Sequence, residues 1–194
     1  MTLGGSSMKI NDAVVRLPAL LAALSRHGKT LAVAESLTGG RLASAIVSVP
    51  GASASFRGGV VAYACEAKNI VLGVNAQRLG DTGPVDGVVA EEMATGVARL
   101  FHADYGISTT GVAGPGSADG HEAGTVWIGL HTPQSTSAKL FHFSGNREEV
   151  RNACVRAALT LIEDECEEIL GNSDEPFREL TDSHGNIFSK GEVS

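Results

Sequence analysis

The chain has 194 residues, of which 43% are hydrophobic and 19% charged, with a formal net charge of −7. That length suits one domain with a sizeable core, and the apolar content excludes a disordered chain. Glycine is plentiful at 24 residues, but 6 prolines and 5% aromatics exclude collagen-like and low-complexity sequences.

The first ten residues, with Gly4–Ser7, read as a flexible lead-in. Residues 11–27 carry Val14, Val15, Leu17, Leu20, Leu21 and Leu24 at helical spacing. Pro18 lies inside this pattern, so the helix either starts there or kinks, and Gly28 closes it. Residues 30–34 (TLAVA) form a short apolar run, read as a buried strand. Glu35-Ser36-Leu37-Thr38-Gly39-Gly40 follows at once, and residues 41–49 continue as a helix stopped by Pro50-Gly51. The unit is strand, tight turn, helix.

A second strand is predicted over 56–64, then a short helix over 66–72 ended by Gly73. Residues 86–101 are a firmer helix, with Val89, Met93, Val97, Leu100 and Phe101 in one stripe. A strand over 104–110 leads into a glycine-rich loop over 111–120. Strands are predicted over 125–131 and 138–143, and a long helix over 146–170. Cys154 and Cys166 share a face of that helix and read as small core residues. With Cys65 they make an odd count without a CxxC pair, as expected of free thiols in a reducing compartment. The alternation of strands and helices, followed by two adjacent strands, predicts an α/β domain with a mixed sheet over 11–171.

Residues 172–194 read as a polar, acidic, mostly disordered tail. From Glu163 to Ser194 there are ten acidic and two basic residues, whereas residues 1–162 hold twelve acidic and thirteen basic ones. The charge of −7 therefore belongs to the end of the chain, and the folded part is compatible with an anionic small ligand. Neither nucleic acid nor membrane is an expected partner. No run approaches the ~18 apolar residues of a membrane span, and Met1–Lys9 lacks the order of a signal peptide. A cytoplasmic location is expected.

Several chemistries find no pattern. The six histidines make no HxH, HxxxH or HExxH spacing, so no metal site is expected. There is no GxSxG elbow and no GxxxxGK[ST] phosphate loop. The segment around Ser36 is better placed. A hydroxyl at a strand end, before glycines and a helix start, lies near free N–H donors able to bind phosphate or an oxyanion. Alternatively, Ser36 or Thr38 simply caps the helix. A serine nucleophile needs a base, and with no histidine placed for it, Lys68 is the candidate. Burial near Tyr63 would lower its pKa, although a surface lysine beside a core tyrosine fits the spacing equally well. Arg147, at the first turn of the last helix, opposes the helix dipole and calls for a carboxylate or a ligand phosphate. Arg151, one turn on, could widen the same site or pair with Glu148 and Glu149.

The blocks AESLTGG (34–40), VPGAS (49–53), FRGGVVAY (56–63), EMATG (92–96), TGVAGPG (110–116), GTVWIGL (124–130) and FSGNREEVR (143–151) occur in one order. Together with EAK…LGV (66–74) they closely resemble the C-terminal domain of the competence/damage-inducible protein CinA. The resemblance covers about residues 15 to 170. It implies a compact three-layer α/β/α domain, here in the stand-alone form called PncC, that self-associates, with a dimer favoured. It further implies a nicotinamide mononucleotide amidohydrolase without a cofactor, releasing ammonia and nicotinic acid mononucleotide in pyridine nucleotide recycling. Ser36 would be the nucleophile, with Lys68 and Tyr63 as its activating partners. The ligand pocket would involve Glu35, Thr38, Gly39, Gly40, Thr110, Gly114 and Arg147. Three positions depart from the family pattern: Cys65 replaces an asparagine, Asp86-Gly87 replaces Ser-Glu, and Glu122-Ala123 replaces Lys-Pro. They motivate two rival readings: a catalytically silent nucleotide-binding module, and a hydrolase for another small amide.

Overall fold

A computed structural model of the chain describes residues 11–171. The expected lead-in over 1–10 and tail over 172–194 lie outside the described residues. In chain order the elements are α1 (Asn11–Arg26), β1 (Leu31–Glu35), α2 (Arg41–Val47), a 3-10 turn (Ala52–Ala54), β2 (Phe56–Val61), α3 (Cys65–Leu72), α4 (Ala76–Thr82), α5 (Gly87–Phe101), β3 (Tyr105–Gly111), β4 (Thr125–His131), β5 (Thr136–His142), α6 (Arg147–Glu165) and α7 (Glu167–Gly171).

The strands form one mixed sheet in the order β2-β1-β3-β4-β5. β1 pairs in parallel with both β2 and β3, while β3–β4 and β4–β5 are antiparallel. β1 is buried along its whole length, as a parallel strand covered on both faces must be. Alternate residues feed two cores. Leu31 and Val33 join α1, α2 and α6 through Leu20, Leu24, Leu42, Ile46, Cys154, Leu159 and Ile162. Ala32 and Ala34 join Leu72, Val89, Met93 and Val97 on the opposite face. The result is the expected three-layer α/β/α arrangement.

Small residues on the sheet let α5 close in. A Cβ on Gly106 would lie 2.2 Å from the Ala94 carbonyl oxygen, and one on Gly129 would lie 2.3 Å from that of Ala90. Between them, the Ser108 hydroxyl donates to the Ala90 carbonyl at 2.6 Å. Even alanine at either glycine would force the helix off the sheet.

The topology also fixes where a ligand can bind. The chain leaves β1 through α2 on one face to reach β2, then returns through α3, α4 and α5 to β3 on the other side of β1. The strand order thus reverses at β1, leaving a crevice beyond the carboxyl ends of β1 and β3. Ser36 and the end of β3 open onto it.

Of the two readings open for Pro18, the structure has it inside α1. Three local differences from the sequence reading remain. α4 was not anticipated, because it buries no residue and so shows no apolar stripe; Asn75 caps it by accepting from the Arg78 N–H at 3.0 Å. β2 stops at Val61, leaving Tyr63 beyond the strand. The last helix breaks at Cys166, with Cys154 and Cys166 both buried as expected.

Candidate active site

Ser36 is held as a continuation of β1. Its N–H donates to the Thr109 carbonyl at 2.9 Å, adding one rung to the β1–β3 ladder. The chain then turns through Gly39 (φ 57) and Gly40 (φ 93) into α2. These left-handed angles suit glycine, and the turn is what lets a strand meet a helix within five residues. Arg41 then reaches α6, where it pairs with Glu148 at 2.6 Å.

Glu35 lies beneath this turn, 1% exposed. Its carboxylate accepts from the N–H groups of Gly40 at 2.9 Å, Leu42 at 3.0 Å and Ala43 at 2.8 Å. A carboxylate at a helix N-terminus is favoured by both the free donors and the dipole. The donors that the sequence offered to a phosphate are therefore taken by the protein's own side chain. The Gly39 N–H is also used, on the Ser36 carbonyl at 3.2 Å. Thr38 is fully buried, its hydroxyl 2.7 Å from that of Thr109. Glu35, Thr38, Gly39 and Gly40 thus build the turn that carries Ser36. None of the four is among the residues that line the pocket.

Lys68 comes from the first turn of α3 and is fully buried. Its Nζ donates to Ser36 Oγ at 3.0 Å, to the Ala62 carbonyl at 2.9 Å and to the Tyr63 carbonyl at 3.4 Å. Each of these acceptors is neutral, so burial dominates and holds the amine below its ordinary pKa of 10.5, with Cys65 and Asp119 opposing the shift. Loss of one proton turns this ammonium into an acceptor for the serine hydroxyl.

Ser36 and Lys68 open into a pocket of about 290 Å³, also lined by Leu37, Pro84, Val85, residues 110–116, Ala118, Asp119, Tyr63 and Arg147. Of the residues expected at the site, Ser36, Lys68, Tyr63, Thr110, Gly114 and Arg147 are brought together here. Arg147 begins α6 behind an Asn146 cap reinforced by Glu149. Its guanidinium donates to the Gly114 carbonyl at 2.8 Å and to the Tyr63 hydroxyl at 3.1 Å. Tyr63 is 62% exposed, and its phenol meets Arg147 rather than the Ser36–Lys68 pair, which it touches only through its carbonyl. The ring lies at the pocket mouth. Thr110 is turned to the Pro84 carbonyl, to which its hydroxyl donates at 2.6 Å.

Arg151 does not widen the site. It donates from Nε to the Leu37 carbonyl and from Nη2 to the Thr38 carbonyl, both at 2.8 Å. Pro84, Val85 and Asp119 were missed by the sequence reading, since they reach the pocket only through folding. The Asp119-Gly120 pair was nonetheless a legible turn signal. Of the three departures, Cys65 lies outside the pocket in a groove with Ile70 and Leu79. Asp86 caps α5, accepting from the Val88 and Val89 N–H groups at 2.9 and 3.0 Å.

The fold and the pocket define a class: a three-layer α/β/α domain with a serine–lysine pair at the point where its strand order reverses. The CinA C-terminal domain family matches residues 17–166, and the chain belongs to that family. It is 45% identical over 159 residues to a CinA-like protein of Frankia casuarinae, covering 82% of this chain and 35% of that one. A putative competence-damage inducible protein of Lactiplantibacillus plantarum is 46% identical over 134 residues, covering 69% and 32%. The chain thus spans about a third of the length of these curated relatives. Among solved structures, competence damage-inducible protein A of Klebsiella pneumoniae superposes with a TM-score of 0.75 at 37% identity, covering 79% of this chain and 97% of that one. A CinA superfamily protein of Escherichia coli gives 0.74 at 35% identity, covering 84% and 92%. Among the described residues, no helix is long and apolar enough to cross a membrane, and no group of three or more His, Cys, Asp or Glu could hold a metal ion.

Proposed function

We propose that this protein is an amidohydrolase that converts nicotinamide mononucleotide and water to nicotinic acid mononucleotide and ammonia. The observation that carries the reading is the 3.0 Å contact between a fully buried Lys68 amine and Ser36 Oγ at a pocket that also presents Arg147.

Neutral Lys68 accepts the Ser36 proton as Oγ attacks the carboxamide carbon. The oxygen of the tetrahedral adduct carries the developing charge. The lysine proton passes to the amide nitrogen, the C–N bond breaks and ammonia leaves. Water then attacks the acyl-serine, with Lys68 taking its proton and returning it to Oγ. The Ser36–Lys68 pair is ready for the next turnover, and no redox or metal step is needed. Arg147 supplies the charge for the substrate phosphate, and Tyr63, hydrogen-bonded to it, orients that guanidinium. The reading places the protein in the cytoplasm, in pyridine nucleotide recycling, as a homo-oligomer with a dimer favoured. Light scattering on the purified protein checks the last point.

The test is ammonia release from nicotinamide mononucleotide by the purified chain. Wild type releases ammonia and Ser36→Ala does not. Arg147→Ala raises KM for the mononucleotide roughly 10- to 100-fold, as expected for a lost charge-assisted contact, but leaves the phosphate-free riboside nearly unaffected. Undiminished release from Ser36→Ala would remove the reading. An unchanged KM with Arg147→Ala would instead favour a hydrolase for an amide without phosphate.

A further inference from the structure

Asp119 is the one carboxylate among the described residues that line the pocket, and the acyl chemistry above does not use it. It is presented by a tight turn. Ala118 and His121 exchange backbone hydrogen bonds of 3.0 and 2.9 Å, and between them Asp119 and Gly120 have φ of 50 and 76. Positive φ at both central residues is the type I′ geometry, which Asp-Gly and Asn-Gly adopt with least strain. The turn backs onto the start of another pocket segment. A Cβ on Gly83 would lie 3.8 Å from that of Asp119, and Pro84 and Val85 continue into the wall. The turn therefore sets the exposed Asp119 on the rim of the same cavity as Ser36, Lys68 and Arg147.

Its charge also reaches Lys68, where it favours the protonated amine. In an empty pocket that opposes the base. A cationic group bound beside Asp119 reverses the effect, because it neutralises the carboxylate and repels the proton on Lys68. A ligand complementary to this pocket thus has an anionic end for Arg147 and a positive centre next to the amide.

We infer that Asp119 is a specificity-determining residue that reads the positive charge of the substrate ring. The pocket selects a carboxamide carried on a cationic, N-substituted pyridinium over the same amide on a neutral ring. The inference rests on the deamidase reading and sharpens it, since nicotinamide mononucleotide carries that charge and its dihydro form does not.

The two forms are compared by calorimetry in a Ser36→Ala background, where neither is hydrolysed. The cationic form binds roughly three- to tenfold more tightly, as expected for a partly solvated charge pair, and the preference shrinks as salt is raised. Adding Asp119→Asn, which keeps the favoured turn dipeptide, abolishes the preference and leaves the dihydro form unchanged. Asp119→Glu retains it. A preference that survives Asp119→Asn overturns the inference, as does equal weakening of both ligands or a preference indifferent to salt. If wild type hydrolyses the mononucleotide while any of these holds, only the role of Asp119 falls. If wild type releases no ammonia and neither form binds, the deamidase reading falls with it.

Discussion

Arg151 reaches from α6 to the turn after β1 and donates its Nε–H to the Leu37 carbonyl at 2.8 Å. With the second bond to the Thr38 carbonyl at 2.8 Å, one guanidinium holds the carbonyls of the two residues that follow Ser36. A planar fork suits two adjacent carbonyls, as a lysine ammonium does not.

Removing this clamp separates positioning from binding. Arg151→Met is expected to cost about 1–3 kcal/mol of stability, the scale of hydrogen bonds from a charged donor. In the ammonia assay, kcat falls more than KM rises, because Arg151 is not part of the pocket lining. Urea unfolding beside steady-state kinetics checks both; a change confined to KM contradicts the positioning role.

Glu35 serves the same turn from below. Glu35→Ala strands the Gly40, Leu42 and Ala43 amides. The expected loss is about 2–4 kcal/mol, combining a lost helix cap with unpaired buried donors. Glu35→Gln retains one oxygen acceptor and loses less. Urea midpoints order the three proteins as wild type, glutamine, alanine. Had Glu35 been a ligand contact, the glutamine variant would lose affinity without losing stability.

The depressed pKa of Lys68 gives activity a signed pH dependence. The neutral amine is the base, so kcat/KM rises with pH and levels off below the ordinary lysine value of 10.5. Stability follows the same direction. The unfolded chain binds the proton that the fold disfavours, so stability falls as pH drops from about 10.5 toward the folded-state pKa. Lys68→Met abolishes ammonia release and removes this slope from the urea midpoints.

Glu163 provides the opposite slope in a different window. It is fully buried in α6, and among the described residues neither carboxylate oxygen has a hydrogen-bond partner. Burial pushes its pKa from 4.5 up to about 7, with Arg16 opposing and Asp164 adding to the shift. The folded state therefore holds a proton that the unfolded chain releases, and stability is lost as pH rises from about 4.5 through about 7. Glu163→Leu is more stable than wild type at pH above that window, because a buried charge is replaced by an apolar side chain. Equal midpoints for the two proteins on both sides of the window would contradict this.

Much of the architecture was legible because it rests on local periodicity. The strand through Ala32 and Val33 announced itself as an apolar run, and α5 by the spacing of Val89, Met93 and Val97. α4 was invisible, since a helix that buries none of its residues leaves no stripe to read. At the site, Ser36 and Lys68 could be named as candidates, but 32 residues separate them and only the fold makes them neighbours. The contacts of Glu35 with the α2 amides and of the Tyr63 hydroxyl with Arg147 were not legible for a related reason. Sequence gives the residue type near a helix start or strand end, not which way its side chain turns.

The sequence by itself determined an α/β order of elements, a hydroxyl at a strand-to-glycine turn, and an acidity confined to the end of the chain. These follow from near-neighbour patterns. The tertiary structure alone decided that the helix α2 amides are satisfied by Glu35, that the Lys68 amine is buried against Ser36, and that Asp119 shares their pocket. Desolvation and long-range charge proximity depend on what packs together across the sheet, and no local pattern encodes that.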